Sequence, residues 1–328
     1  MIRTFLYDAE GRDREITLTA EVLAELAEHH ILWIDATAPD EADFALLKTL
    51  FSLSGPCMAG LRRATTTFSL DNYGSYFHCD VPAVVRQPKD AAGLPRTAMR
   101  ARVDFIVAAQ WLITVHAEDL AFLQQFRDQD KGETLIGALT GPQVAASLLD
   151  WHLEAYLGAL EDVEAFVDGL DARILARPRV REALLGEVMV GRRYVSSLRR
   201  LLGPQRSVFY GVSRPDFSQI AGTEAAVHYA ALERRFERTL DAVEHGRDLM
   251  QSSFDLFTTR TAETTNMLIR RLTFLSVLLG GLGALACVFG MNYQPPYAKS
   301  GLPFWIVVGV LVAVAVGGLV FARLRKWI

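Results

Sequence analysis

The sequence predicts an α+β domain followed by a helical region, one very long α-helix and two C-terminal helices that cross a membrane. Three observations predict it. Strand-like runs alternate with short amphipathic helices only in residues 1–141. The pattern turns helical from Pro142. Two apolar runs without a charge, Leu272–Phe289 and Leu302–Ala322, stand at the end.

Within 1–141, Arg3–Tyr7, Ile31–Ile34, Ser75–Val81, Val103–Ala108 and Leu112–His116 are rich in aromatic and β-branched residues and read as strands. Ala20–Glu28, Glu41–Phe51 and Glu118–Arg127 read as short helices. Asp40 is placed to cap the second of these, with Glu41 and Asp43 in its first turn. Gln87–Arg96 is a polar Pro/Gly stretch that predicts a hairpin excursion.

Residues 142–271 form the helical region. Gln143–Arg177 places Leu149, Leu153, Tyr156 and Leu160 at helical spacing. Arg179–Leu202 is a second helix, stopped by Gly203-Pro204. A third begins at Thr223. It has no Pro as far as Phe289, and its one Gly before the apolar run is Gly246. That predicts one continuous helix, roughly 100 Å long at the α-helical rise.

The spans are 272–289 and 302–322, joined by the loop 290–301 and followed by a basic tail, 323–328. Each is long enough to cross about 30 Å of hydrocarbon. Two such runs side by side are hard to bury in a soluble domain of this size. Arg270 and Arg271 precede the first span, Arg323, Arg325 and Lys326 follow the second, and the loop carries only Lys299. The positive-inside rule then predicts cytoplasmic N- and C-termini and an external loop. Trp305 and Trp327 sit near the ends of the second span, where aromatic belts are expected. The first residues, MIRTFLYDAEGRDREITL, contain no apolar leader, so the N-terminal part is expected in the cytoplasm.

Composition excludes several classes. A net charge of −4 without an aromatic-basic patch excludes nucleic acid as a partner. Cys57, Cys79 and Cys287 form no CxxC and fit a reduced compartment. No Walker motif or GxSxG is present, and Gly281-Leu282-Gly283 falls inside a span, so neither an enzyme nor a cofactor is expected. No histidines form HxxxH or HExxH. His29-His30, at a predicted helix end, reads as solvated or as a helix-dipole partner, and His228 and His245 lie on the long helix.

The long helix carries the functional signal. Steps of seven from Asn266 give Thr273, Gly280 and Cys287, and the register three residues on gives Ile269, Ser276, Gly283 and Gly290. Extended backwards, the second register gives Asp255, Asp248 and Asp241. One line thus bears carboxylates before the span and small or weakly polar residues within it. That pattern suits a symmetric bundle around a central cation path, with carboxylate rings focusing the field. Each feature also has a plain reading. The glycines permit close helix packing, the Asp line is a solvated face beside Arg234, Arg235, Arg238 and Arg247, and Cys287 is a small apolar residue.

Gly290-Met291-Asn292 closes the first span before a short loop and a second span. Thr264-Thr265-Asn266 lies upstream, and the chain ends in Arg325-Lys326-Trp327-Ile328. In these features, and in its whole domain order, the sequence resembles the CorA family of metal ion transporters. The resemblance implies a funnel-shaped homopentamer in the inner membrane, with the long helices lining the pore and lipid around the second spans. It implies that Gly290, Met291 and Asn292 form the outer mouth, Asn292 holding a hydrated divalent cation (Mg²⁺ or Zn²⁺, with Co²⁺ and Ni²⁺ as further cargo). It also implies a hydrophobic gate at Ile269 and Leu272.

The sequence departs from the family in four places. The loop Tyr293–Pro303 has no acid, Gly280 replaces a larger pore residue, and Ala231 and Arg234 stand where magnesium-sensing members place acids. These departures lean toward the ZntB-like branch, which handles Zn²⁺, although that branch often has Val at the position of Met291. The rival reading is a non-conducting membrane-anchored protein whose cytoplasmic α/β domain binds a partner.

Overall fold

The computed structural model describes residues 1–63, 65, 67–85, 93–94, 99–129, 134–176, 182–290 and 302–325. The chain divides into two compact units, one of Met1–Asp171 with Leu185–Ser253 and one of Ala172–Leu184 with Phe254–Ile328.

The first unit is built on a seven-stranded sheet of β1 (Ile2–Asp8), β2 (Arg14–Ile16), β3 (His30–Thr37), β4 (Leu70–Asn72), β5 (Phe77–Val85), β6 (Met99–Val107) and β7 (Trp111–His116). The order across the sheet is β2-β1-β3-β7-β6-β5-β4, and only β3 and β7 run parallel. β3 reads HILWIDAT and its six central residues are buried, as a strand covered on both faces must be. Leu32, Ile34 and Ala36 pack with Phe44, Leu47 and Phe51 of α2 (Glu41–Phe51) and Cys57, Met58 and Leu61 of α3 (Gly55–Leu61). On the opposite face Trp33 meets Phe126 of α4 (Ala121–Gln129) edge to face. Val85 pairs with Met99 in the antiparallel β5–β6 ladder, and the Gln87–Arg96 stretch expected to form the hairpin excursion lies, apart from residues 93–94, outside the described residues.

Asp40 caps α2 as expected. It accepts from the Asp43 N–H at 2.8 Å, and the Asp43 side chain returns the bond to the Asp40 N–H. The other two short helices differ from expectation. The first, α1, is only Ala20–Ala24, because the chain turns back at once: the His30 N–H reaches the Ala27 carbonyl, and β3 starts at His30. His29-His30 therefore sits at a strand start rather than a helix end. The α4 helix begins three residues late, because the Glu118 carbonyl is held by His116 and the first turn closes on Leu120. The short strands β2 and β4 and the helix α3 carry no period long enough to read in sequence.

The expected long helices are α5 (Gly141–Ala176), α6 (Glu182–Leu202) and, after the short α7 (Arg206–Val212), α8 (Ala225–Gly290), which is continuous over 66 residues. Their packing fixes Gly191 and Gly246. A Cβ on Gly191 would lie 2.6 Å from Met250 of α8 and 2.9 Å from Phe166 of α5, and one on Gly246 would lie 3.0 Å from Leu160. The helical layer is tied to the sheet at Pro82, whose carbonyl accepts from the Tyr156 hydroxyl at 2.8 Å. Gln205 donates to that hydroxyl at 2.9 Å and accepts from His152 at 2.8 Å.

In the second unit, α8 and α9 (Leu302–Leu324) are long and apolar enough to cross a membrane. Their most apolar windows are 0% and 6% buried, so apolar surface of this extent needs lipid or further protein around it.

Candidate ion path on the long helix

Within the first unit α8 packs by a stripe of Ala225, Tyr229, Leu232, Phe236, Thr239, Val243, Gly246, Met250 and Ser253, all buried. The spacing of three and four is that of one helix face. Asp248 lies two residues from both Gly246 and Met250, about 200° away around the helix. Asp241 holds the same relation to Thr239 and Val243. Both carboxylates are exposed on the face opposite the packed one. Of the neighbouring arginines, Arg235 is turned to α5, where it pairs with Asp150 at 3.0 Å and with Glu154. It does not neutralise the Asp line.

In the second unit the half-buried residues of the apolar part of α8 are Phe274, Leu278 and Leu282, four apart on one face. Leu278 rests on Gly318 of α9, where an added Cβ would come within 2.9 Å of its Cδ1. The less exposed stripe of α9 is Leu311, Ala315, Gly318 and Ala322, of which the last three are small residues that let helices approach closely in a bilayer. Thr273, Ser276, Gly280, Gly283 and Cys287 fall on the opposite side of α8, and all are exposed, as are Asp255, Asn266, Ile269 and Leu272. A Cβ added at Gly280, Gly281 or Gly283 would meet no atom within 4 Å. Contact with α9 therefore does not require these glycines. Gly290 ends α8, and Met291 and Asn292 lie outside the described residues.

In each unit α8 thus has a packed face and an exposed one: Asp241 and Asp248 lie on the exposed side in the first unit, and small and weakly polar residues lie on it in the second. A family model described as CorA-like Mg²⁺ transporter protein matches residues 28–326. The chain belongs to the CorA-like family. Its members are divalent metal ion transporters of the membrane. Among relatives, YfjQ of Bacillus subtilis, named as a metal ion transporter, is 20% identical over 90% of this chain and 89% of its own length. The cobalt/magnesium transport protein CorA of Thermotoga maritima is 26% identical over 56% of this chain and 51% of its own length. The complete structure of the CorA magnesium transporter from Methanocaldococcus jannaschii superposes with a TM-score of 0.74 at 14% identity, covering 99% of this chain and 98% of that one. The CorA architecture is thereby established: an α/β soluble domain, a long helix and two C-terminal apolar helices.

This CorA-like chain also buries charged groups that its sequence does not reveal. Asp35, 2% exposed, accepts from His116 at 2.9 Å, Thr114 at 2.6 Å and Arg127 at 2.6 Å. Burial pushes its carboxyl up, but these partners together hold it below the usual range. Burial pulls His116 down, and Asp35 overcomes this to raise it. Asp104 sits between His78 at 2.7 Å and Arg102 at 2.5 Å, and there burial wins and raises the carboxyl. Burial likewise lifts the Cys57 thiol to about 11, so it carries no thiolate for nucleophilic chemistry. Both networks brace the sheet.

Asp8, His29 and His30 form a cluster with the donor set of a transition-metal site. The Nε2 atoms of His29 and His30 lie 3.7 and 3.5 Å from the Asp8 carboxylate. The Ala27 N–H, however, donates to His30 Nδ1 at 3.2 Å, which places the proton of the neutral ring on Nε2, facing Asp8. His30 is arranged as a hydrogen-bond partner of Asp8 and not as a ligand.

Proposed function

We propose that this chain assembles as a homopentameric channel that moves hydrated divalent cations, Mg²⁺ or Zn²⁺ with Co²⁺ and Ni²⁺ as further cargo, across the inner membrane. Residues 1–141 form a cytoplasmic α/β domain, 142–271 the cytoplasmic helical funnel with the start of the long helix, 272–289 and 302–322 the spans, 290–301 the external loop and 323–328 a cytoplasmic tail. Gly290, Met291 and Asn292 form the outer mouth, and oxygen donors there suit a cation that sheds its water reluctantly. Asn266, Thr273, Ser276, Gly280, Gly283 and Cys287 line the path. Ile269 and Leu272 close it by dewetting. Asp241, Asp248 and Asp255 draw cations to the funnel.

One observation carries this reading. The seam of α8 faces away from α9, and a Cβ added at its glycines would meet no atom within 4 Å among the described residues. Copies related by an axis along that face would give a narrow polar column inside a sleeve of apolar residues. The driving force is the membrane potential, about 2.3 kcal/mol per charge at 100 mV.

The test is uptake of Mg²⁺, Zn²⁺, Co²⁺ and Ni²⁺ by sealed vesicles holding the purified protein under an inside-negative potential. Uptake that collapses in Asn292→Ala is the expected result. Vesicles impermeable to all four metals would overturn the channel reading and favour the non-conducting, partner-binding alternative. Uptake unaltered by Asn292→Ala would remove that residue from the mouth.

A further inference from the structure

A groove of about 790 Å³ lies in the first unit between α6 and α8, beside the start of α7. Arg192, Arg199, Arg200, Arg206 and Arg247 line it, and Glu244 is the single carboxylate among the lining residues. The chain as a whole is acidic, with a net charge of −4, so this concentration of cations runs against the overall balance. Arg199 is engaged with Glu244 at 3.2 Å and Arg206 with Glu237 at 2.6 Å. The side chains of Arg200 and Arg247 are exposed and make no ion pair or hydrogen bond among the described residues. Like charges held together repel, and an anion bound between them relieves that repulsion.

We propose that this groove binds an oligophosphate chain, a di- or triphosphate. The guanidinium fork matches phosphate oxygens in pairs, and Arg200 and Arg247 are the two forks left open. The volume falls in the range of small-ligand sites. No aromatic ring lines the groove, so it selects the phosphate chain and not a base attached to it. Ser196 adds a hydroxyl donor at the same wall. Arg247 precedes Asp248 on α8, so the ligand is read on the helix that carries the exposed carboxylates. Binding itself does not depend on transport.

Full-length protein in detergent is titrated with inorganic triphosphate and pyrophosphate by calorimetry. ATP is the soluble-nucleotide arm, and phosphoinositide-bearing vesicles against phosphatidylcholine vesicles are the lipid arm, with protein in nanodiscs. Triphosphate is expected to bind, ATP no tighter than triphosphate, and Arg200→Ala with Arg247→Ala to weaken both by at least about tenfold. Arg200→Lys with Arg247→Lys should recover part of the loss, and Arg14→Ala, elsewhere on the surface, should leave the affinity unchanged. Vesicle capture that follows the phosphoinositide and vanishes in the double variant, with no binding of triphosphate, overturns the oligophosphate chain in favour of the clustered phosphate monoesters of a lipid headgroup. Absence of binding in every arm overturns the proposal, as does binding indifferent to the double variant. A double variant that changes the oligomeric mass while phosphate affinity stays constant also overturns it, making the groove a contact between copies.

Discussion

Replacing Gly280 and Gly318 separates the two roles that glycine plays in the membrane helices. At Gly280 an added Cβ meets no atom within 4 Å, whereas at Gly318 it lies 2.9 Å from Leu278 Cδ1. In a helix interior alanine is favoured over glycine by about 1 kcal/mol. Gly280→Ala is therefore expected to hold or raise the stability of the folded chain by up to about 1 kcal/mol. Gly318→Ala gains the same propensity but must displace the end of Leu278, an overpacking cost of about 1–3 kcal/mol, so its net effect is neutral to destabilising. The decisive variant is Gly280→Leu. A ring of leucines on the seam closes a narrow column, and metal uptake should fall at least about tenfold while fold and oligomeric mass persist. Uptake is read in vesicles with an internal metal-sensitive dye, stability by thermal unfolding in detergent, and mass by light scattering. Parental uptake by Gly280→Leu would refute the seam as a path. Loss of assembly in Gly280→Leu would show that the glycine serves contact between helices of different copies.

Three further outcomes follow from the soluble unit. His152 is wholly buried, its Nδ1 has no hydrogen-bond partner among the described residues, and burial lowers it to about 4 despite its bond to Gln205. Its folded value lies below the unfolded one, so stability is full above about pH 6.5 and is lost as pH falls through 6.5 toward 4, by about 3 kcal/mol. His152→Gln should flatten the profile of unfolding midpoint against pH in that window. Asp35→Asn leaves His116 and Arg127 without their shared carboxylate and should cost about 3–5 kcal/mol in denaturant unfolding of the soluble unit within the full chain. Asp40→Ala removes the α2 cap and should cost about 1 kcal/mol in the same measurement, with Asp40→Asn retaining most of it.

Local pattern fixed much of this molecule. The limits of α2, its Asp40 cap, the unbroken α8 and the two apolar runs follow from periodicity, capping chemistry and the absence of Pro, all of which act over a few residues. The small-residue seam and the Asp line were likewise readable, because a heptad step of seven nearly matches two turns of helix. What the pattern left open was the direction in which each face points. That the seam turns from α9, and that Gly318 rather than Gly280 is the packing glycine, depends on side chains about forty residues away in sequence. The meeting of Asp8 with His29 and His30, the Asp35–His116–Arg127 network and the arginine groove arise the same way. Burial and charge are properties of surfaces brought together, and only tertiary packing chooses which segments share them.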